Sequence, residues 1–174
     1  MALTLDATIG GAASNSYVTA AEGTVYHEGR LFSTGWTGAV VGDQEAALVW
    51  ATRLLDTHFD WQGGKFTLTQ ALRWPRFGAL DRDGELIDSA ELPTSLMNAV
   101  SELARLLIIG DRSIESGTEG LSKLKVDVIE LTFDKLDRLG TIPDEVYQMI
   151  SHLGRLKVAA TTGARAVPVA LLRT

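Results

Sequence analysis

The feature that most constrains this chain is a pair of amphipathic segments joined by a connection that cannot continue a helix. From Asp43 onward, Ala47, Leu48, Ala51, Leu54, Leu55 and His58/Phe59 recur at three- and four-residue steps, which is one face of a 3.6-residue period. Asp43 suits an N-cap, and Glu45 suits the positive end of the helix dipole. A second period runs through Leu96, Ala99/Val100, Leu103 and Leu106/Leu107. Pro93 stands where a first helical residue is expected, Gly110 ends the pattern, and Asn98, Ser101, Glu102 and Arg105 line the opposite, polar side. Helices of this length are marginal alone in water, so the two apolar faces are expected to pack on each other.

The connection reads Ala-Leu-Arg-Trp-Pro-Arg-Phe-Gly-Ala-Leu-Asp-Arg-Asp-Gly-Glu-Leu-Ile over residues 71–87. Pro75 keeps Trp74 out of the helical region and removes a backbone donor, so Arg73 to Arg76 should run extended. Asp83-Gly84 supplies the positive φ of a tight turn between Leu80 and Leu86-Ile87. A loop this long inside a compact domain is either functional or held by its own aromatics. Trp61, Phe66, Trp74 and Phe77 are the candidates for that clamp, with Trp74, Pro75 and Phe77 as its core.

Two chemistries compete for the loop. Arg73, Arg76 and Arg82 beside Trp74 and Phe77 could stack on and grip a nucleic-acid strand. Alternatively the aromatics bury while the arginines pair with Asp81, Asp83, Glu85 or Asp88, which is the reading the residues favour. The overall charge agrees with the second: 22 acidic against 16 basic residues leave −6, whereas a protein built to grip phosphate is usually basic.

No catalytic chemistry is legible, so no enzyme and no cofactor are expected. There is no cysteine for a disulfide or thiolate metal site. The three histidines fall on separate predicted helices without the spacing of a zinc helix. Asp81-Arg-Asp-Gly lacks the later ligands of a calcium loop and reads as a turn. No nucleophile-elbow, Walker-type or dinucleotide-binding signature is present. No apolar run approaches the ~18 residues of a membrane span, and the opening residues do not read as a secretory signal. A cytoplasmic product is expected, or a virion component assembled there.

The rest of the chain divides into three parts. Residues 1–16, with Gly10-Gly11 and Ser14-Asn15-Ser16, read as a flexible or partner-ordered arm in which Leu3, Leu5 and Ala7 alternate as a short strand would. Residues 17–155 form the domain. Thr19 and Glu22 make a capping box for a helix ending near Gly29, Leu31 to Gly42 reads as loop around Trp36, and Pro143-Asp144-Glu145 opens a last helix bearing Val146, Tyr147, Ile150 and Leu153. Leu121 to Phe133 is the best strand, with a change of apolar face at Val128-Ile129 that suggests a bulge or a strand covered on both sides. It needs a hairpin partner, the N-terminal arm, or a neighbouring subunit. Residues 156–174 carry Lys157, Arg165 and Arg173, no acid, and the run Val167, Pro168, Val169, Ala170, Leu171, Leu172, which suits a docking tail.

Ala71-Leu72-Arg73-Trp74-Pro75-Arg76, then Asp81-Arg82-Asp83-Gly84 and Leu92-Pro93, resembles a tailed-bacteriophage family found in the structural gene cluster and often labelled DnaT-like single-stranded DNA-binding protein. Ser16-Tyr17-Val18-Thr19 before a helix, Trp36 ahead of the next one, and Ala46-Ala47-Leu48 to Leu54-Leu55-Asp56 are also similar, so the likeness covers roughly residues 14 to 134. The helical plan looks like that of head–tail adaptor proteins. The resemblance implies a homo-oligomeric, dodecameric ring at the virion neck, docked on the portal above and on a tail, stopper or terminator protein below, with double-stranded DNA threading its lumen. On that reading the tail residues Lys157, Arg165, Val167, Pro168, Val169, Leu171, Leu172 and Arg173 are the portal-interface candidates. The alternative is a replication accessory protein that binds single-stranded DNA, with Arg73, Arg76 and Arg82 as its contacts. Either way the expected fold is mainly α: three to four helices, a long loop, a small β element and extended termini.

Overall fold

The computed structural model describes residues 3–113, 123–126, 129–132 and 140–157. The fold is mainly α, and its axis is the second amphipathic segment, α4 (Thr94–Ile109). The first, α3 (Val41–His58), lies along one side of it, and α5 (Asp144–Ile150) along another. Helix α1 (Ala20–Glu28) and the four-residue α2 (Thr34–Thr37) close the remaining side. Leu48, Ala51 and Leu55 of α3 meet Leu96, Val100 and Leu103 of α4 in a core that also takes Val146, Ile150 and Leu153; all are buried. The apolar period placed these residues correctly, because helix faces of this kind must be shielded from water together.

Helix ends follow backbone satisfaction more than the side chains that usually signal them. The box at Thr19 is complete: Thr19 Oγ1 accepts the Glu22 N–H, and Glu22 accepts the Thr19 N–H at 2.8 Å. Helix α3 starts two residues before Asp43, with Val40 as its N-cap, leaving Asp43 in the first turn where its charge meets the dipole. Pro93 is the N-cap of α4, one place earlier than its expected position, because its carbonyl accepts the Leu96 and Met97 N–H groups.

The segment around Trp36 corrects the sequence reading. It forms α2 with Trp36 wholly buried, its Nε1 donating to Thr24 Oγ1 at 3.1 Å. The neighbouring glycines concealed this helix by mimicking loop composition. Gly23 of α1 makes room for the indole, since a Cβ there would come within 2.8 Å of the ring.

Small β pairings replace the single long strand. Strand β1 (Phe59–Trp61) pairs antiparallel with β6 (Gly154–Leu156), and β2 (Gly64–Lys65) pairs with β3 (Arg76–Phe77). Gly154 faces Trp61, where a Cβ would meet the Asp60 carbonyl at 2.6 Å. Strands β4 (Lys123–Val126) and β5 (Ile129–Thr132) form a hairpin with Val126 opposite Ile129. The partner strand thus lies in the same chain, while Val128, where the apolar face was read to change, lies outside the described residues.

The N-terminal arm is a turned coil held against the body, not a strand. Asp6 O accepts the Asn15 and Ser16 N–H groups, Asn15 Nδ2 donates to Thr4 O, and Gly11 O accepts the Ala71 N–H. Ser14 and Ser16 are buried. Strand β6 also crosses the boundary expected between residues 155 and 156 and ties Leu156 into the body, opposite Phe59.

The polar side of α4 is the second correction. Ser101, Glu102 and Arg105 are buried, because α1, α2 and α5 cover that side as α3 covers the other. One Glu102 carboxylate oxygen takes both Arg105 and Arg30, the latter at 2.9 Å, so the charge is neutralised where it is desolvated. His27 sits beside this cluster between Tyr26 and Trp36, with Nε2 at 3.1 Å from the Ser101 carbonyl. A carbonyl only accepts, so Nε2 carries the proton of the neutral ring. Burial lowers the His27 pKa from 6.5, with nearby Arg105 and Arg30 acting in the same direction against Ser101 and Glu102. The unfolded chain therefore binds this proton first as pH falls. The stability contributed by His27 is complete above 6.5 and is lost as pH drops toward its lower folded value. In an NMR titration His27 should show a midpoint below 6.5, and a midpoint above it would contradict this placement.

Candidate nucleic-acid interface and the Trp-Pro loop

The loop between α3 and α4 is built from the inside. Trp74 is 1% exposed and meets Trp61 edge-on, with ring centroids 6.0 Å apart, while Trp61 stacks on Phe59. The Trp74–Pro75 peptide is cis. Pro75 is buried, but Phe77 is 57% exposed and packs over Gly64, and Phe66 is also exposed. Two tryptophans and a phenylalanine from β1 make the clamp; Phe77 does not belong to its core, and Phe66 is not part of it. The Asp-Gly turn forms as the sequence implied: Gly84 has φ +87°, Leu80 bridges Leu86, and Asp81 Oδ1 accepts the Asp83 and Glu85 N–H groups.

A tyrosine–carboxylate pair anchors the loop to the helices. Tyr17 is buried; its hydroxyl donates to Asp56 Oδ1 at 2.6 Å and accepts the Trp74 N–H at 3.1 Å. Asp56 Oδ2 accepts the Arg73 N–H at 3.0 Å. Burial, followed by the Asp56 charge, raises the Tyr17 pKa well above its usual value, which keeps the donating proton on the ring oxygen. Burial also raises Asp56, against the bonds from Tyr17 and Arg73.

The three arginines do not act as the sequence reading assigned them. Arg76 is buried and donates to backbone carbonyls: Nε to Gln62, Nη1 to Arg73 at 3.1 Å, and Nη2 to Gly63 at 2.6 Å. Those carbonyls belong to loop backbone with no ladder of its own, and one guanidinium fork satisfies several together. Arg82 is exposed and donates to Gln148 O at 3.0 Å, linking the turn to α5. Arg73 is exposed, and only its backbone N–H joins the anchor. None pairs with Asp81, Asp83, Glu85 or Asp88; those carboxylates either shape turns or stay in water. Trp74 and Arg76 are thus removed from the set that could grip a nucleic-acid strand, and Arg73 and Arg82 do not form a common face with an exposed tryptophan.

A different basic cluster emerges where the loop meets α3. Arg53, Arg73 and Lys157 line a shallow groove of 520 Å³ with Asn15, Asp56 and Thr57. Arg53 lies over the Trp50 ring at 5.4 Å. Lys157 bonds through its backbone to His58 O at 2.7 Å and through Nζ to Thr57 O at 3.1 Å, so it is fastened beside α3. Arg53 was absent from the sequence-derived candidates. The available signal was positional: Trp50, Arg53 and Thr57 fall at three- and four-residue steps outside the apolar face of α3. Of the portal-interface candidates, Lys157 alone is described; Arg165, Val167, Pro168, Val169, Leu171, Leu172 and Arg173 lie outside the described residues. Among the described residues no three or more His, Cys, Asp or Glu side chains gather as a metal site, and no helix is long and apolar enough to cross a membrane.

The cage predicts that Arg76→Ala and Trp74→Ala are both severe. Trp74→Ala should cost about 3–5 kcal/mol as a large-to-small core change. Arg76→Ala strands several carbonyls and should cost about 2–4 kcal/mol. Arg76→Lys should recover little, since an ammonium cannot reproduce the fork. Chemical denaturation of the three variants checks this; an Arg76→Ala protein as stable as the parent would contradict the cage.

No match was found among curated proteins or among solved structures. One family model matches residues 1–169, nearly the whole chain, and its description is "Putative DnaT-like ssDNA binding protein". The match takes in the Tyr17–Asp56 anchor, the Trp-Pro loop and the helical core alike, and the chain belongs to this family.

Proposed function

We propose that the protein is a structural subunit of the head–tail adaptor of a tailed bacteriophage, acting as a ring between the portal and the next tail component. The observation that carries this reading is the inward turn of the loop. The Arg-Trp-Pro-Arg motif on which the resemblance to this phage family rests is used to fold the subunit, with Arg76 caged and Trp74 buried. An exposed apolar patch lies elsewhere on the subunit and suits protein contacts. Leu31, Phe32, Val40 and Val41 flank α2 and are each more than half exposed, and Ile109, exposed as well, lies against Gly35 of the same helix. Phe32 is 89% exposed and holds a left-handed φ of 60°, an unfavourable backbone for a bulky residue. A net charge of −6 also suits a channel through which DNA must slide without being held.

The family description favours a second reading, a single-stranded DNA-binding accessory protein, and on its own it weighs more for that reading than for the adaptor. The two separate cleanly in solution. Mixed with purified portal, an adaptor should give portal particles carrying an added ring by negative stain. It should bind single-stranded oligonucleotides only weakly at physiological ionic strength. A salt-sensitive, sub-micromolar DNA complex with no portal association would leave the accessory protein standing and remove the adaptor.

A further inference from the structure

We propose that the groove lined by Arg53, Arg73 and Lys157 is a binding site for the phosphate backbone of single-stranded DNA, an inference that rests on the second reading above and gives it a location. Most other described cations are engaged. Arg30 and Arg105 hold Glu102, Arg76 is caged by carbonyls, Lys65 donates to Gln70 O, and Arg112 donates to Gly140 O. Arg53 and Arg73 are exposed, and among the described residues neither guanidinium makes a hydrogen bond or an ion pair. Their free donors therefore meet in one place on an otherwise acidic chain.

The acid in the groove is already committed. Both Asp56 oxygens accept bonds from the anchor, one from Tyr17 and one from the Arg73 N–H, so this carboxylate is held by the loop and is not paired with either guanidinium. Asn15 and Thr57 stand at the rim, and the stack of Arg53 on Trp50 restrains its guanidinium beside the groove. No aromatic ring lines the groove, so contacts to the sugar-phosphate chain dominate and base identity matters little. Lys157 also reaches the groove, but its Nζ already donates to Thr57 O and lies 3.6 Å from Asp60 Oδ1, so the two free arginines give a weak, salt-sensitive site.

The test is fluorescence anisotropy with a labelled oligothymidylate at low salt. The proteins are the intact chain, Arg53→Glu, Arg73→Glu, the double variant, and Arg82→Glu as a charge-matched control outside the groove. All three positions are exposed, and melting curves confirm that each variant folds. The double variant should bind at least tenfold more weakly, with Arg82→Glu within about twofold of the parent. The log–log salt slope should fall from about −1.4, for two phosphates on a single strand, toward zero. Oligodeoxyadenylate should bind within about threefold of oligothymidylate; a strong base preference would overturn the backbone assignment. If the intact protein binds and the double variant binds equally well, the groove is wrong while the single-stranded DNA reading survives. If the intact protein does not bind even at low salt, both fall.

Discussion

The guanidinium of Arg76 does for the long loop what secondary structure does elsewhere. Between β1 and α4 the chain makes only short strand pairings, and it is covered on the inside by Trp61 and Trp74. Backbone carbonyls in that position need partners, because buried unpaired polar groups are costly. Arg76 reaches those of Gln62, Gly63 and Arg73 from one planar fork. On the outer side, Tyr17 and Asp56 receive the Trp74 and Arg73 N–H groups. Held from both faces, the loop presents Trp74 to the core, and β1 then pairs with β6 to fasten the end of the described chain beside α3.

The same economy of polar groups shapes the helical body. Helix α4 is surrounded, so a stripe on it that looked solvent-facing must be paired internally, which Glu102 does with Arg105 and Arg30. The Arg30 contact joins the residue just past α1 to the centre of α4, and Arg30 also lies 3.9 Å from Glu145 on α5. Charge pairing of this sort gives register more than net stability. Its consequence for function is indirect: it sets the end of α1, and with it the start of the exposed Leu31-Phe32 segment.

The apolar faces of α3 and α4, the capping box at Thr19, the Asp83-Gly84 turn and the last helix after Pro143 were legible in sequence, since each depends on local periodicity or on one residue's backbone preference. Three features were not. The α2 helix hid behind glycines whose purpose is close packing around Trp36. The loop arginines were assigned to nearby carboxylates because sequence shows charge but not which carbonyls a fold leaves unpaired. The groove required Arg53, Arg73 and Lys157, positions 20 and 84 residues apart in sequence, to be brought together by β1, β6 and the loop. No pattern in a single chain announces such a meeting.

The central claim is that the backbone of the Arg-Trp-Pro-Arg motif and its Trp74, Pro75 and Arg76 side chains are interior structure, with only the Arg73 side chain left outside. Native-state amide exchange tests it most directly, because it reads the motif's own hydrogen bonds. The N–H groups of Phe66, Arg73 and Trp74, bonded to Pro75 O, Asp56 and Tyr17, should exchange as slowly as those in the middle of α3 and α4, through global unfolding. Exchange of these three at the rate of exposed loop amides, with α3 and α4 still protected, would contradict the account.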